Sequence, residues 1–121
     1  MAPPVAALSY QGLWWNPNES GWGMSVSQHN SMIFAAFYTY DTAGKSIWYV
    51  ASNCVVAGSG CSGEVYQVSG GTPLTAAWNG AGKTVLTVGT VTFAFADAGN
   101  GAMTYSINGA TGSRLITRQV F

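Results

Sequence analysis

The residues of this chain with the greatest chemical potential lie in one short segment, 12–23. It contains three of the five tryptophans, Trp14, Trp15 and Trp22, and one of the four acidic residues, Glu19. A turn needs asparagine, proline or glycine, but it needs neither three indole rings nor a carboxylate. Indoles offer a broad apolar face with one N–H donor, and a carboxylate accepts hydrogen bonds. We therefore expect this segment either to seal one end of the fold or to bind a ligand.

The adjacent residues Trp14 and Trp15 must point to opposite faces of a strand, so one is expected in the core and the other outside. Sugar rings stack their C–H faces on indoles, and their hydroxyls suit carboxylate and amide side chains. The alternative is a purely structural role, in which the tryptophans plug a barrel. The candidate ligand-binding residues are Trp14, Trp15, Asn16, Asn18, Glu19, Trp22, Tyr38, Tyr40 and Trp48.

The later aromatic residues include Tyr38 and Tyr40, which share one face of their strand. Most of this later set is expected to fill the core of a barrel, whose interior at eight strands holds packed side chains or one small ligand. Small inward residues could leave space for that ligand. The later aromatic set comprises Tyr38, Tyr40, Trp48, Tyr49, Tyr66, Trp78 and Tyr105, and the small residues are Ala35, Ala36, Ala51, Ala94 and Ala96.

Catalysis is not indicated. Glycoside hydrolysis uses two carboxylates at a set separation, and Glu19 has no identifiable partner, because Asp41 and Asp97 fit hairpin turns. Glu19 could instead accept hydrogen bonds within its loop or pair with Arg118. His29 lacks neighbours for acid–base or metal chemistry. We therefore expect neither an enzyme nor a metal or other cofactor.

The two cysteines, Cys54 and Cys61, are separated by a short segment rich in glycine, serine and alanine. Such a segment can turn back on itself, which favours a disulfide formed in an oxidising compartment. Two free thiols are the alternative. A metal site is disfavoured because further ligands are scarce.

Charged residues make up only 7% of the chain and balance to zero. A basic surface for nucleic acid is therefore absent. No apolar run is long enough for a transmembrane helix. An outer-membrane barrel is also disfavoured, because strands such as 102–107 are too short and carry too few large apolar residues on one face. The start of the chain lacks the features of an intact signal peptide.

The elements that must position these residues are all β-strands. Turn signals rich in asparagine, aspartate and glycine recur at short intervals, and no segment has a helical period. We predict a single antiparallel meander of about eight strands, closed as a small barrel because closure removes the exposed edges, with a β-sandwich as the alternative. Residues 1–7 are predicted to be disordered and 8–121 to form one domain. The predicted strands are 8–16, 21–29, 31–41, 45–55, 61–69, 84–97, 101–108 and 113–121, with a short extra strand considered around 74–78.

A family resemblance rests on the motif Trp-Trp-Asn-Pro-Asn-Glu-Ser-Gly-Trp-Gly at 14–23 and the ending Ile-Thr-Arg-Gln-Val-Phe at 116–121. With the intervening segments 33–41 and 44–50, the chain resembles a widespread proteobacterial module. The resemblance implies a secreted or cell-surface bacterial protein, and it implies no particular activity. The strand pattern is also similar in outline to avidin and lipocalin barrels, which is a likeness of architecture alone.

Three functional hypotheses follow. The first is a secreted, non-enzymatic binding module that holds a glycan or a small neutral ligand on tryptophan and tyrosine faces. The second is a structural domain that self-associates into a homo-oligomer through an exposed tryptophan. The third, ranked below both, is a glycan-active hydrolase that uses Glu19. Each is expected to act in the extracellular space or the bacterial periplasm.

Overall fold

The computed structural model describes residues 9–119, which form a closed barrel of eight antiparallel strands. Each strand pairs with the next along the chain, and β1 pairs with β8 to complete the circle. The predicted eight-stranded meander and its closure are confirmed, and a two-sheet sandwich is excluded. The predicted disordered segment 1–7 lies outside the described residues. The strands are β1 Gly12–Trp15, β2 Gly23–His29, β3 Met32–Tyr40, β4 Ser46–Val55, β5 Gly60–Ser69, β6 Thr84–Phe95, β7 Asn100–Ile107 and β8 Ala110–Arg118.

The strands form because apolar residues recur at every second position. In β6, for example, Val91, Phe93 and Phe95 are buried, whereas the intervening Thr92 and Ala94 are exposed. Successive side chains of a strand point to opposite faces, so this alternation gives the barrel an apolar interior and a hydroxyl-rich exterior on that side. Within residues 9–119 there is no helix long and apolar enough to cross a membrane.

The connection between β5 and β6 differs from the prediction, because residues 74–78 form no strand. The hydroxyl of Thr72 accepts a hydrogen bond from the backbone N–H of Asn79 (3.0 Å) and donates one to its carbonyl (2.8 Å). These two bonds join the ends of a loop that contains residues 74–78. A 3-10 turn, Gly80–Gly82, then leads into β6.

The two ends of the barrel are built differently. The end where the chain enters β1 is sealed by aromatic residues: the ring of Tyr10 stacks on Phe95 with centroids 3.8 Å apart, and the indole N–H of Trp14 donates to the carbonyl of Tyr10 at 2.7 Å. The guanidinium of Arg118 lies 5.5 Å from the centre of the Trp14 ring. We call this the sealed end. The opposite end, where the connection 16–22 and the β3–β4, β5–β6 and β7–β8 connections lie, is the mouth.

A disulfide joins Cys54 near the end of β4 to Cys61 at the start of β5, with their Cα atoms 5.3 Å apart. The predicted pairing is confirmed. Both cysteines are buried among the core residues of the sealed half. A disulfide is consistent with an extracellular or periplasmic location.

Candidate ligand site at the mouth of the barrel

The site begins where β1 ends early. Trp15 is the last residue of β1, so the ladder between β1 and β8 stops at Thr117, and the connection 16–22 lies along the remainder of β8. The Asn16 side chain fixes this path: its amide donates to the carbonyl of Leu115 (3.2 Å), and its oxygen accepts from the backbone N–H of Asn18 (2.9 Å). The proline that follows Asn16 lacks a backbone donor, which is consistent with the end of the strand there. The connection therefore forms part of the wall of the mouth.

This connection carries Glu19 into a cluster of four polar side chains. One carboxylate oxygen accepts from the indole N–H of Trp22 (3.0 Å), and the other accepts from Arg114 on β8 (3.0 Å). Arg114 also hydrogen-bonds Tyr105 on β7, and this bond, followed by the charge of Glu19, raises the pKa of the guanidinium. Arg114 therefore remains charged across the physiological pH range. Because Glu19 lies against it, the net charge of the cluster is zero.

A glycine makes room for this cluster. Tyr105 is directly opposite Gly112 in the β7–β8 ladder. A Cβ atom at Gly112 would lie 2.7 Å from the Tyr105 hydroxyl oxygen, closer than real Cβ contacts allow. The absence of a side chain there lets the phenol lie across β8 towards Arg114.

Glu19 does not pair with Arg118, which was one of the two structural roles considered for this carboxylate. Arg114 and Arg118 both point into the barrel, but four residues of strand separate them by about 13 Å. Arg118 lies at the sealed end, where it donates to the carbonyl of Ser9 at 2.7 Å. Glu19 lies at the mouth and so reaches only Arg114.

A cavity of about 910 Å³ opens at the mouth between this polar wall and the opposite strands. Its inner part is apolar and its outer part carries the polar cluster and further amide and hydroxyl groups. Aromatic rings line it as well, which is typical of small-molecule sites. The apolar lining is Phe37, Ile47, Val65, Val91, Met103 and Ile107; the aromatic and polar lining includes Trp22, Tyr40, Tyr49, Tyr105, Glu19, Gln67, Asn108 and Arg114.

The barrel is thus hollow only in its outer half. Ala35 and Ala51, predicted as possible sources of space, do point inward, but both are completely buried by their neighbours. Ala94 and Ala96 are exposed. The space comes instead from the mouth, where β1 is absent and the sheet is completed by a connection.

The predicted site residues divide among three places. Glu19, Trp22 and Tyr40 line the cavity, and Asn16 and Asn18 shape the connection beside it. Trp14 is only 1% exposed and belongs to the core of the sealed end, so it offers no surface to a ligand. Trp15, Tyr38 and Trp48 occupy outward positions. The prediction that Trp14 and Trp15 face opposite sides is confirmed.

The outward aromatic residues form a second depression, which we call the outer groove. Tyr38 and Trp48 are directly opposite each other on β3 and β4, and with Tyr40 and Gly21 they line a groove of about 400 Å³. The exposed fractions are 54% for Tyr38, 52% for Tyr40 and 45% for Trp48. Trp78 is also exposed, in the β5–β6 connection. Because four of the seven residues in the later aromatic set are exposed, the expectation that most of this set fills the core is wrong.

The cavity residues that the sequence did not identify include Gln67, Tyr105 and Arg114. Tyr105 belongs to the later aromatic set, most of which was expected in the core, and neither Gln67 nor Arg114 belongs to a recognisable motif. A usable signal existed in β7, where Met103, Tyr105 and Ile107 alternate with small polar residues and so identify the inward face. The position of Arg114 relative to Glu19 depends on closure of the barrel across the chain.

No protein-family model, curated protein or solved structure matches this chain. The function must therefore be argued from the site itself. Among residues 9–119, no group of three or more histidine, cysteine, aspartate or glutamate side chains is placed to bind a metal ion. The chemistry available at the mouth is that of an apolar chamber with hydrogen-bonding groups along one wall.

Proposed function

We propose that this protein is a non-enzymatic binding module that holds a small neutral ligand in the cavity at the mouth of the barrel. The observation that carries the proposal is the cavity of about 910 Å³, with an apolar interior and a polar cluster on one wall. Concave, mostly apolar sites with a few convergent polar groups are where proteins bind small molecules. The ligand is neutral because Arg114 and Glu19 neutralise each other at 3.0 Å.

The module acts outside the cytoplasm, in the extracellular space or a bacterial periplasm. The Cys54–Cys61 disulfide supports this location, since such bonds persist in oxidising compartments. The resemblance to a secreted proteobacterial module points in the same direction.

The proposal is tested with Nile red, an uncharged dye that fluoresces strongly in apolar surroundings. We expect saturable binding by the wild-type protein and loss of binding in Ile107→Trp, because residue 107 points into the cavity and the larger indole would obstruct it. The matched control is Thr104→Trp on the same strand, which is exposed on the outer face and should bind as the wild type does. Equal dye binding by both variants would exclude the cavity as the site. Native mass spectrometry of the purified protein would also reveal a retained ligand.

The outer groove favours a second candidate function, the binding of a neutral glycan. Tyr38, Tyr40 and Trp48 expose aromatic faces there, with the hydroxyl-bearing residues Ser46 and Thr39 beside them. Aromatic faces with adjacent hydrogen-bonding groups suit a sugar ring. Retention on an insoluble neutral polysaccharide should be lost in Trp48→Ala and kept in Ile107→Trp. A dimer that dissociates in Trp48→Ala, without polysaccharide retention, would instead assign the groove to self-association.

A further inference from the structure

The inner and outer walls of the mouth cavity differ in polarity, and this difference restricts what can occupy it. The inner wall contributes Phe37, Val65, Val91 and Met103, each at most 8% exposed. A group without hydrogen-bonding atoms gains free energy by lying against this wall, because its own apolar surface is removed from water. A hydroxyl placed there would lose its water partners without replacing them. The part of the ligand against this wall must therefore be apolar.

The outer wall supplies hydrogen-bond donors and acceptors, and its guanidinium, Arg114, is paired with Glu19. The carboxylate of Asp41, which also lines the cavity, accepts from the backbone N–H groups of Ala43 and Lys45. Arg114 only donates, and the carboxylate of Glu19 only accepts. Gln67 also lines the cavity, and among residues 9–119 its side-chain amide has no hydrogen-bond partner. An amide can both donate and accept. Together these groups suit a hydroxyl or a carboxamide, which likewise donates and accepts.

A carboxylate would fit this wall less well. It would have to share Arg114 with Glu19, whose oxygen already lies 3.0 Å from the guanidinium. Two carboxylates beside one guanidinium repel each other, and no second cation lines the cavity among the described residues. Glu19 thus occupies the position that an acidic ligand would need.

We propose that the cavity takes an amphiphile with an apolar body and one uncharged hydrogen-bonding group, and that Glu19 is the residue that excludes carboxylates. This inference rests on the proposed binding function and names the ligand class and its specificity determinant. The apolar body covers the wall of Phe37, Val65, Val91 and Met103. The hydroxyl or amide group meets Arg114 and Glu19.

The test compares decanol with decanoate as competitors of Nile red at pH 7, where a carboxylic acid is ionised. The two probes share a carbon chain and differ in the charge of the polar group. We expect decanol to bind the wild-type protein at least about fivefold more tightly than decanoate. This factor is the change in affinity that corresponds to the strength of one partly exposed ion pair. In Glu19→Gln the ratio of the decanoate affinity to the decanol affinity should rise by about fivefold, since Arg114 no longer lies against a carboxylate while the amide oxygen can still accept from Trp22.

The matched control is Glu64→Gln, which removes the same charge from the outer face of β5. Glu64 is exposed and accepts a hydrogen bond from Tyr66 at 2.7 Å, away from the cavity. It should leave both affinities unchanged. If Glu19→Gln behaves like Glu64→Gln, or if wild type binds both probes equally, the assigned ligand class and the role of Glu19 are overturned.

The failures of the two proposals are distinguishable. If Nile red binds and Ile107→Trp abolishes its binding, but neither decanol nor decanoate displaces it, the cavity is a binding site and the amphiphile assignment is wrong. If only a soluble oligosaccharide displaces Nile red, the cavity is likewise a binding site and the amphiphile assignment is wrong. If Nile red binding is insensitive to Ile107→Trp, the proposed function itself fails and the inference fails with it.

Discussion

Two tryptophans of the segment 12–23 should respond to the same substitution with different losses of stability. In Trp14→Phe, the carbonyl of Tyr10 loses the indole N–H that lies 2.7 Å from it in the buried sealed end. Leaving a buried acceptor without its partner costs about 1–3 kcal/mol. The smaller ring leaves unfilled volume beside Phe95, which adds about 1 kcal/mol. The free energy of unfolding should therefore fall by about 3 kcal/mol.

Trp22→Phe removes an indole N–H bond of similar length, 3.0 Å to Glu19, but at a partly exposed position. Water can replace that donor, so the loss should be about 1 kcal/mol or less. Its effect should appear in ligand binding instead, because Trp22 lines the cavity and holds Glu19 in position.

The assay is urea unfolding followed by far-ultraviolet circular dichroism, which does not depend on the substituted fluorophores. With a slope near 1.5 kcal/mol per molar urea, the midpoint of Trp14→Phe should fall by about 2 M and that of Trp22→Phe by less than about 0.7 M. Nile red titration of the same proteins supplies the second measurement. Equal loss of stability in both variants, or a loss below about 1 kcal/mol in Trp14→Phe, would refute the distinction between a structural and a site tryptophan.

Three further predictions concern stability. Reducing the Cys54–Cys61 disulfide, which closes a loop of eight residues counting both cysteines, should lower the free energy of unfolding by about 2.5 kcal/mol in the chain-entropy treatment; unfolding in urea with and without reductant measures it. Gly89→Ala should cost at least about 2 kcal/mol, because a Cβ would overlap the carbonyl oxygen of Ser106. Backbone and side-chain hydrogen bonds lower the pKa of Asp97. Its contribution to stability is therefore complete above the unfolded pKa of about 3.9 and is lost as pH falls through the lower folded value. In Asp97→Asn the melting temperature should fall less steeply with decreasing pH in this range.

The Gly89→Ala prediction has a matched control. Gly71→Ala should change stability by less than about 0.5 kcal/mol, because a Cβ there meets nothing within 4 Å. A comparable loss in Gly71→Ala and Gly89→Ala would mean that loss of glycine flexibility, and not the clash, sets the cost. If reduction leaves the urea midpoint unchanged, the disulfide does not stabilise the fold. If the melting temperature of Asp97→Asn falls at low pH as steeply as that of the wild type, the Asp97 carboxylate does not contribute to stability.

The architecture could be predicted because its determinants are local. Turn signals containing glycine, asparagine or aspartate separate the strands, and a run of hairpins leaves two edges that can pair with each other. The orientation of β3 could not be predicted, because the run 32–40 is apolar on both faces. Its phase is set by partners on β2 and β4, which place Phe37 inside and Tyr38 outside.

Apart from Tyr40, the sequence identified only those residues of the site that lie together in the segment 12–23. Glu19 and Trp22 are three residues apart, and their association follows from the segment 12–23 itself. Arg114 is 95 residues from Glu19, so their contact exists only after the barrel has closed. The empty outer half of the barrel likewise depends on where β1 ends, which the alternation of apolar residues does not specify.

The seam between β1 and β8 determines how the module can be tethered. The described chain enters at Ser9 and leaves at Gln119, and both residues lie at the sealed end: Ser9 accepts from Arg118, and the backbone N–H of Gln119 donates to Leu13 at 2.7 Å. A support or fused protein attached at Ser9 or Gln119 would therefore approach the face opposite the mouth. The cavity would then stay open to solvent, so attachment at either residue should leave the on-rate of a ligand unchanged.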